Sequence, residues 1–153
     1  MSSIAENLEA IRHRIHEVAM RSGRAAEAVE LLAVSKTHPV ETIQQAVEAG
    51  QLMFGENRVQ EILLKQPQLP GKLQWHLIGP LQSNKVRKIL PCVEMIHAVD
   101  SLDIARDINR IAGELGLHPR VLIEINLATE STKHGFSATQ IREQLEALYA
   151  LDR

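Results

Sequence analysis

The sequence predicts a parallel α/β fold, and three observations carry that prediction. Helix-like and strand-like segments alternate through 153 residues, polar side chains gather in the loops that follow strands, and no linker or low-complexity tract breaks the rhythm. Alternation of this kind implies right-handed crossovers and strands lying side by side in parallel. Five strands after an initial helix suit an open doubly wound sheet or part of a (β/α)8 barrel. A complete barrel typically takes about 250 residues.

Each element has its own signal. Ile4, Leu8, Ile11, Ile15 and Val18 recur at helical spacing, with Gly23 as a stop. Leu31 to Ser35 is the first strand. Pro39 suits the first turn of a helix carrying Ile43, Ala46 and Val47, which ends at Gly50. Leu52 to Phe54 is a short second strand. Asn57 to Gln66 is a short helix, and Pro67 and Pro70 mark a loop. Leu73 to Ile78 is the third strand, Ser83 to Leu90 is helical, and Val93 to Val99 holds the fourth strand. Ser101 caps a helix with Ile104, Ile108, Ile111 and Leu115 on one face, closed by Gly116. Arg120 to Asn126 is the fifth strand. Ser137 and Gln140 form a capping box for a last helix through Ile141, Leu145 and Leu148.

Composition narrows the function. Apolar content of 44% and charged content of 24% are those of a globular domain with a real core. With 17 basic and 19 acidic side chains the net charge is -2, which argues against a general nucleic-acid binder and a polybasic membrane anchor. Aromatic residues make up only 3%, too few for stacking platforms. Cys92 is the single cysteine and cannot form an internal disulfide. Met1 to Asn7 lacks the basic and apolar regions of a signal peptide, and no apolar run approaches membrane-spanning length. Cytoplasmic residence is the expectation.

The chemistry-bearing residues fall on one side of the expected sheet. Lys36 closes an apolar strand, where α/β folds place their sites and where partial desolvation favours a neutral, nucleophilic amine. The second strand ends in Gly55-Glu56-Asn57-Arg58, and the third holds His76 and ends in Gly79-Pro80-Leu81-Gln82-Ser83-Asn84-Lys85. The fourth contains His97 and ends in Asp100; the fifth ends in Asn126, ahead of Lys133-His134-Gly135. The opposite loops, such as Ala49-Gly50 and Gly116 to Pro119, are blander. Such one-sidedness is what a pocket at the carboxyl ends of strands produces. Simpler roles compete: Lys36 as a solvated strand end, His76 as a satisfied core histidine, Asn57 as a helix cap, Asn84 and Lys85 as a solvated helix start. His13 and His16 lack a third ligand nearby in sequence, so no metal site is expected. Dinucleotide and P-loop phosphate motifs are missing, as is a nucleophile elbow.

Several blocks in one order make the chain recognisable. Ala33-Val34-Ser35-Lys36, Phe54 to Glu61, Trp75 to Lys85, His97-Ala98-Val99-Asp100-Ser101, Glu124-Ile125-Asn126 and Lys133-His134-Gly135 together resemble the pyridoxal-phosphate homeostasis protein family. The resemblance implies one barrel domain over residues 1–153, like the amino-terminal barrel of alanine racemases. It implies pyridoxal 5′-phosphate held as an internal aldimine by Lys36, with Asn57, His76 and Asn84 around the cofactor. It also implies a cytoplasmic monomer without catalytic turnover, serving vitamin B6 and amino-acid homeostasis. Members of the family continue for further βα units that carry Ser-Met-Gly-Met-Ser-like and Gly-Ser-Thr-like phosphate anchors, and these do not occur here. The expectation is therefore a partial barrel of about five βα units with its carboxyl-terminal part missing, prone to self-association through exposed edges.

Two other readings stand beside this one. A lysine Schiff-base enzyme such as an amino-acid racemase would use a catalytic tyrosine, and Tyr149, the only tyrosine, sits near the end of the last helix. A remnant without cofactor binding would follow from loss of the phosphate anchors.

Overall fold

The computed structural model describes residues 2–127 and 134–153; Lys133, one of the loop residues singled out above, lies outside them. Five parallel strands form one sheet in the order β1-β2-β3-β4-β5, namely Ala33–Val34, Met53–Glu56, Gln74–Leu77, Met95–Val99 and Arg120–Ile123. Among the described residues six α-helices accompany them: α1 Ile4–Arg21, α2 Val40–Glu48, α3 Val59–Lys65, α4 Val86–Ile89, α5 Leu102–Leu115 and α6 Ala138–Tyr149. The expected strand order and parallel sense are those observed, in the arrangement of a partial barrel.

One face of the sheet makes the core. Phe54, Trp75, Leu77, Ile96 and Val99 are each no more than 2% exposed and pack with Ile43 of α2, Ile62 of α3, Val86 and Ile89 of α4, and Ile104, Ile108 and Ile111 of α5. Neighbouring registers align these residues, because Phe54 pairs with Trp75 and Leu77 with Ile96. Alternation along a strand then turns Val34, Gly55, His76, Met95 and His97 to the opposite face. That face is open enough for Val34 to be 49% exposed.

Local chemistry sets the ends of the helices. Ser3 and Glu6 cap α1 reciprocally, and Ser137 and Gln140 do the same for α6. Ser101 accepts from the Ile104 N–H, and Gly116 closes α5 at φ 67°, where a side chain would be strained. Some boundaries differ from the sequence reading. The first ladder is confined to Ala33–Val34, although the Ser35 N–H still donates to the Gly55 carbonyl at 3.0 Å. The third helical stretch starts later, at Val59, with Arg58 at its cap and no side-chain bond there, so Asn57 is not a cap. Residues 83–92 break into a 3-10 turn, the single α-turn of α4 and a second 3-10 turn at Pro91.

Candidate functional site

Lys36 stands at the carboxyl end of β1 and is exposed, which fits the solvated strand end and not the partial desolvation among its two sequence readings. It follows β1, an edge strand of the described sheet. Ala33 pairs with Phe54 and Val34 with Gly55, so Lys36 follows β1 at the same end of the sheet at which Asn57 follows β2. Gly55, opposite Val34, is closely covered: a Cβ there would lie 3.2–3.3 Å from Ile78 and Leu32 side-chain carbons.

Asn57 is half-buried and its backbone is pinned from the next loop. A Cβ added at Gly79 would lie 2.3 Å from the Asn57 carbonyl oxygen and 2.9 Å from its Cα, so only glycine allows this approach. Asn57 also lines a cleft of about 680 Å³ at the carboxyl ends of the central strands, together with Arg58, Glu61, Lys85, Asp100 and His134. His134 Nδ1 lies 3.4 Å from Asp100 Oδ2 across this cleft. Asn84 is exposed beside Lys85, and it is Lys85 that lines the cleft.

His76 is 5% exposed and turns to the open face from β3. Its Nδ1 lies 2.8 Å from Nε2 of His97 on β4, with ring centroids 5.0 Å apart. Burial first, and then the neighbouring His97, hold the His76 imidazole below its ordinary pKa; burial does the same to His97. A neutral pair needs only one proton in the shared bond. His76 Nε2 is buried without a hydrogen-bond partner among the described residues. A buried polar atom in that position costs stability, so it marks a place where an incoming polar group would be welcomed.

Beneath Lys36, on the helix side, lies an ionic cluster that sequence reasoning missed. Lys65 Nζ of α3 donates to the Ser35 carbonyl at 3.0 Å, to Glu56 Oε1 at 2.6 Å and to Glu61 Oε2 at 2.9 Å. The Ser35 hydroxyl donates to the same Glu56 oxygen at 2.7 Å, and the Thr37 N–H donates to Glu61 Oε2 at 3.1 Å. Glu56 is fully buried and Lys65 is 5% exposed. Burial pulls the Lys65 ammonium down, but its bonds and charge contacts with Glu56 and Glu61 outweigh burial and hold it above the usual lysine range. The Lys65 hydrogen bond in turn holds Glu61 below the usual carboxylate range. The available signal was a charged residue, Glu56, inside an apolar strand and an i,i+4 Glu61–Lys65 pair on the helix after it.

The site residues thus divide. His76 faces the open side of β3, Lys36 and Asn57 follow the carboxyl ends of β1 and β2, and Asn84 stands on a surface turn. No group of three or more His, Cys, Asp or Glu side chains is placed to hold a metal among the described residues. No described helix is long and apolar enough to cross a membrane.

Comparison with known proteins agrees with this architecture. Residues 7–153 match the family described as alanine racemase, N-terminal domain. The chain is 42% identical over 158 residues to a pyridoxal phosphate homeostasis protein of Escherichia coli (strain K12), covering 100% of this chain and 67% of that protein. It is 41% identical to the protein of that name from Pseudomonas aeruginosa, covering 66% of it. Among solved structures, PipY of Synechococcus elongatus with PLP bound superposes with a TM-score of 0.83 at 40% identity, covering 98% of this chain and 66% of that one. An alanine racemase from Bartonella henselae shares the fold, with a TM-score of 0.72 at 12% identity. The chain spans about two thirds of the length of these homeostasis relatives. It belongs to the alanine racemase N-terminal domain family and, within it, to the pyridoxal phosphate homeostasis proteins.

Proposed function

We propose that this chain binds pyridoxal 5′-phosphate covalently at Lys36 and serves cofactor and amino-acid homeostasis in the cytoplasm without catalysing turnover. The observation that carries the reading is the placement of Lys36: an accessible primary amine at a strand's carboxyl end, in a chain of this family. The cofactor would supply an aldehyde, to which a neutral primary amine adds with formation of a C–N bond and loss of water. Asn57, pinned by Gly79, offers an amide that both donates and accepts. The unpartnered Nε2 of His76 offers a second polar contact. These features fit the aldehyde and ring end of the cofactor; Asn84 is retained as a contact only at the rim.

Lys65 is a poor rival for Lys36, because all its hydrogens are engaged and its two carboxylate partners keep it charged. A racemase-like reading is less well supported. Tyr149 is 79% exposed at the carboxyl end of α6, and crossover helices run back from the strands' carboxyl ends, so it stands away from Lys36.

The test is an absorbance titration with pyridoxal phosphate, followed by borohydride reduction and peptide mapping. A new near-ultraviolet or visible band with the label predominantly on Lys36 is expected. Labelling spread over surface lysines such as Lys72 and Lys88, or no band, would reject the assignment. Absence of amino-acid racemisation by the loaded protein is the accompanying expectation.

A further inference from the structure

The backbone on both sides of Lys36 is tied to one buried ammonium. Lys65 reaches the Ser35 carbonyl directly, and reaches the Thr37 N–H through Glu61. Thr37 has φ 66°, making it the non-glycine residue in the left-handed region among the described residues. Such a conformation is costly for a β-branched side chain and persists where its surroundings enforce it. Two buried charges are also costly, and apolar residues at 56 and 65 would fill the same core without desolvating ions. Packing alone therefore does not account for the cluster. Its position does: the turn it holds begins the departure of the chain from β1 towards α2, and Lys36 is the residue between the two ties.

We propose that Glu61 and Lys65 are positioning residues for Lys36: they lock residues 35–37 so that the Lys36 amine is presented at the carboxyl end of β1. This rests on reading Lys36 as the attachment residue. Neither side chain touches the amine. They act through the peptide units that flank it, from the opposite face of the sheet. Glu61 supplies the tie that can be cut with least harm to the core, since it is partly exposed on a helix where alanine is favourable.

The experiment compares the wild-type chain with Glu61→Ala and Glu61→Gln. The glutamine oxygen can still accept from the Thr37 N–H. Covalent capture of pyridoxal phosphate at Lys36 is expected to slow about tenfold in Glu61→Ala, the equivalent of one charge-assisted hydrogen bond. Glu61→Gln should recover most of the rate, and both variants should keep cooperative thermal transitions. A second readout needs no cofactor. After isotope-labelled reductive methylation, the Lys36 resonance should move or broaden in Glu61→Ala and return in Glu61→Gln, with Lys72 and Lys88 unmoved as references. An unchanged capture rate in folded Glu61→Ala overturns the positioning role. If the wild-type chain captures no cofactor at Lys36, the attachment reading has failed separately. The Lys36 resonance then decides: a shift confined to Glu61→Ala upholds the positioning role, and an unmoved resonance overturns it.

Discussion

His76 and His97 make the site sensitive to acid before any carboxylate does. Both imidazoles are held below their ordinary value of 6.5 in the folded chain, His76 by burial and then by its partner, His97 by burial. The unfolded chain therefore binds more protons as the pH drops below about 6.5, and stability falls with it. Their contribution is fully present above that value and is lost as the pH falls from there through the lower folded values. Glu61, also held low, has an ordinary value of 4.5, so its contribution is lost only in a more acidic window. A thermal midpoint that holds steady from about pH 8 to 7 and declines from about pH 6.5 to 5 is expected. The double variant His76→Gln, His97→Gln should flatten that decline. A wild-type profile already flat through this interval would contradict the assignment. Gly79 supplies a second test at this scale. Gly79→Ala should cost about 1–3 kcal/mol, because the new methyl group meets main chain and not a yielding side chain. Chemical denaturation measures the cost, and the shift of Asn57 should also weaken cofactor capture.

Among the elements, α6 is the one held most by its own local chemistry. None of its residues is buried, and its reciprocal Ser137–Gln140 cap satisfies two backbone donors. Ser137→Ala should cost about 1 kcal/mol and act on the helix alone. Amide exchange over residues 138–149 should accelerate while β2 and β3 keep their protection; equal acceleration everywhere would show that α6 folds with the core. This cap was legible in the sequence because both partners lie three residues apart. So were the Ser101 cap, the Gly116 stop and the order of strands, which follow from spacing and turn chemistry along the chain. The His76–His97 contact and the cluster of Ser35, Glu56, Glu61 and Lys65 were not. Each depends on how two or three elements meet in register, and single residues such as His76 admit several roles until that register is known. Whether Lys36 is partly desolvated or a solvated strand end stayed open in the sequence, and its exposure after an edge strand decides for the second.

At the scale of the whole molecule, β1 and β5 are the two edges of the described sheet, and each carries unpaired backbone groups. Apolar side chains cluster towards the β5 edge: Val121 is 37% exposed, Leu122 48% and Ile125 45%. At the other edge Val34 is 49% exposed on the open face. An exposed edge strand with branched apolar residues is a template for pairing with a second chain. The 153-residue polypeptide is therefore expected to self-associate through these edges as its concentration rises. Sedimentation velocity over a hundredfold concentration range measures this directly. Leu122→Lys should weaken the association, since a lysine on an edge strand must be desolvated when another strand docks there. Leu64→Lys is the control: Leu64 is 67% exposed but lies on α3, where no strand edge is available. If the control suppresses association as strongly as Leu122→Lys, general surface hydrophobicity is responsible and the edge account is wrong.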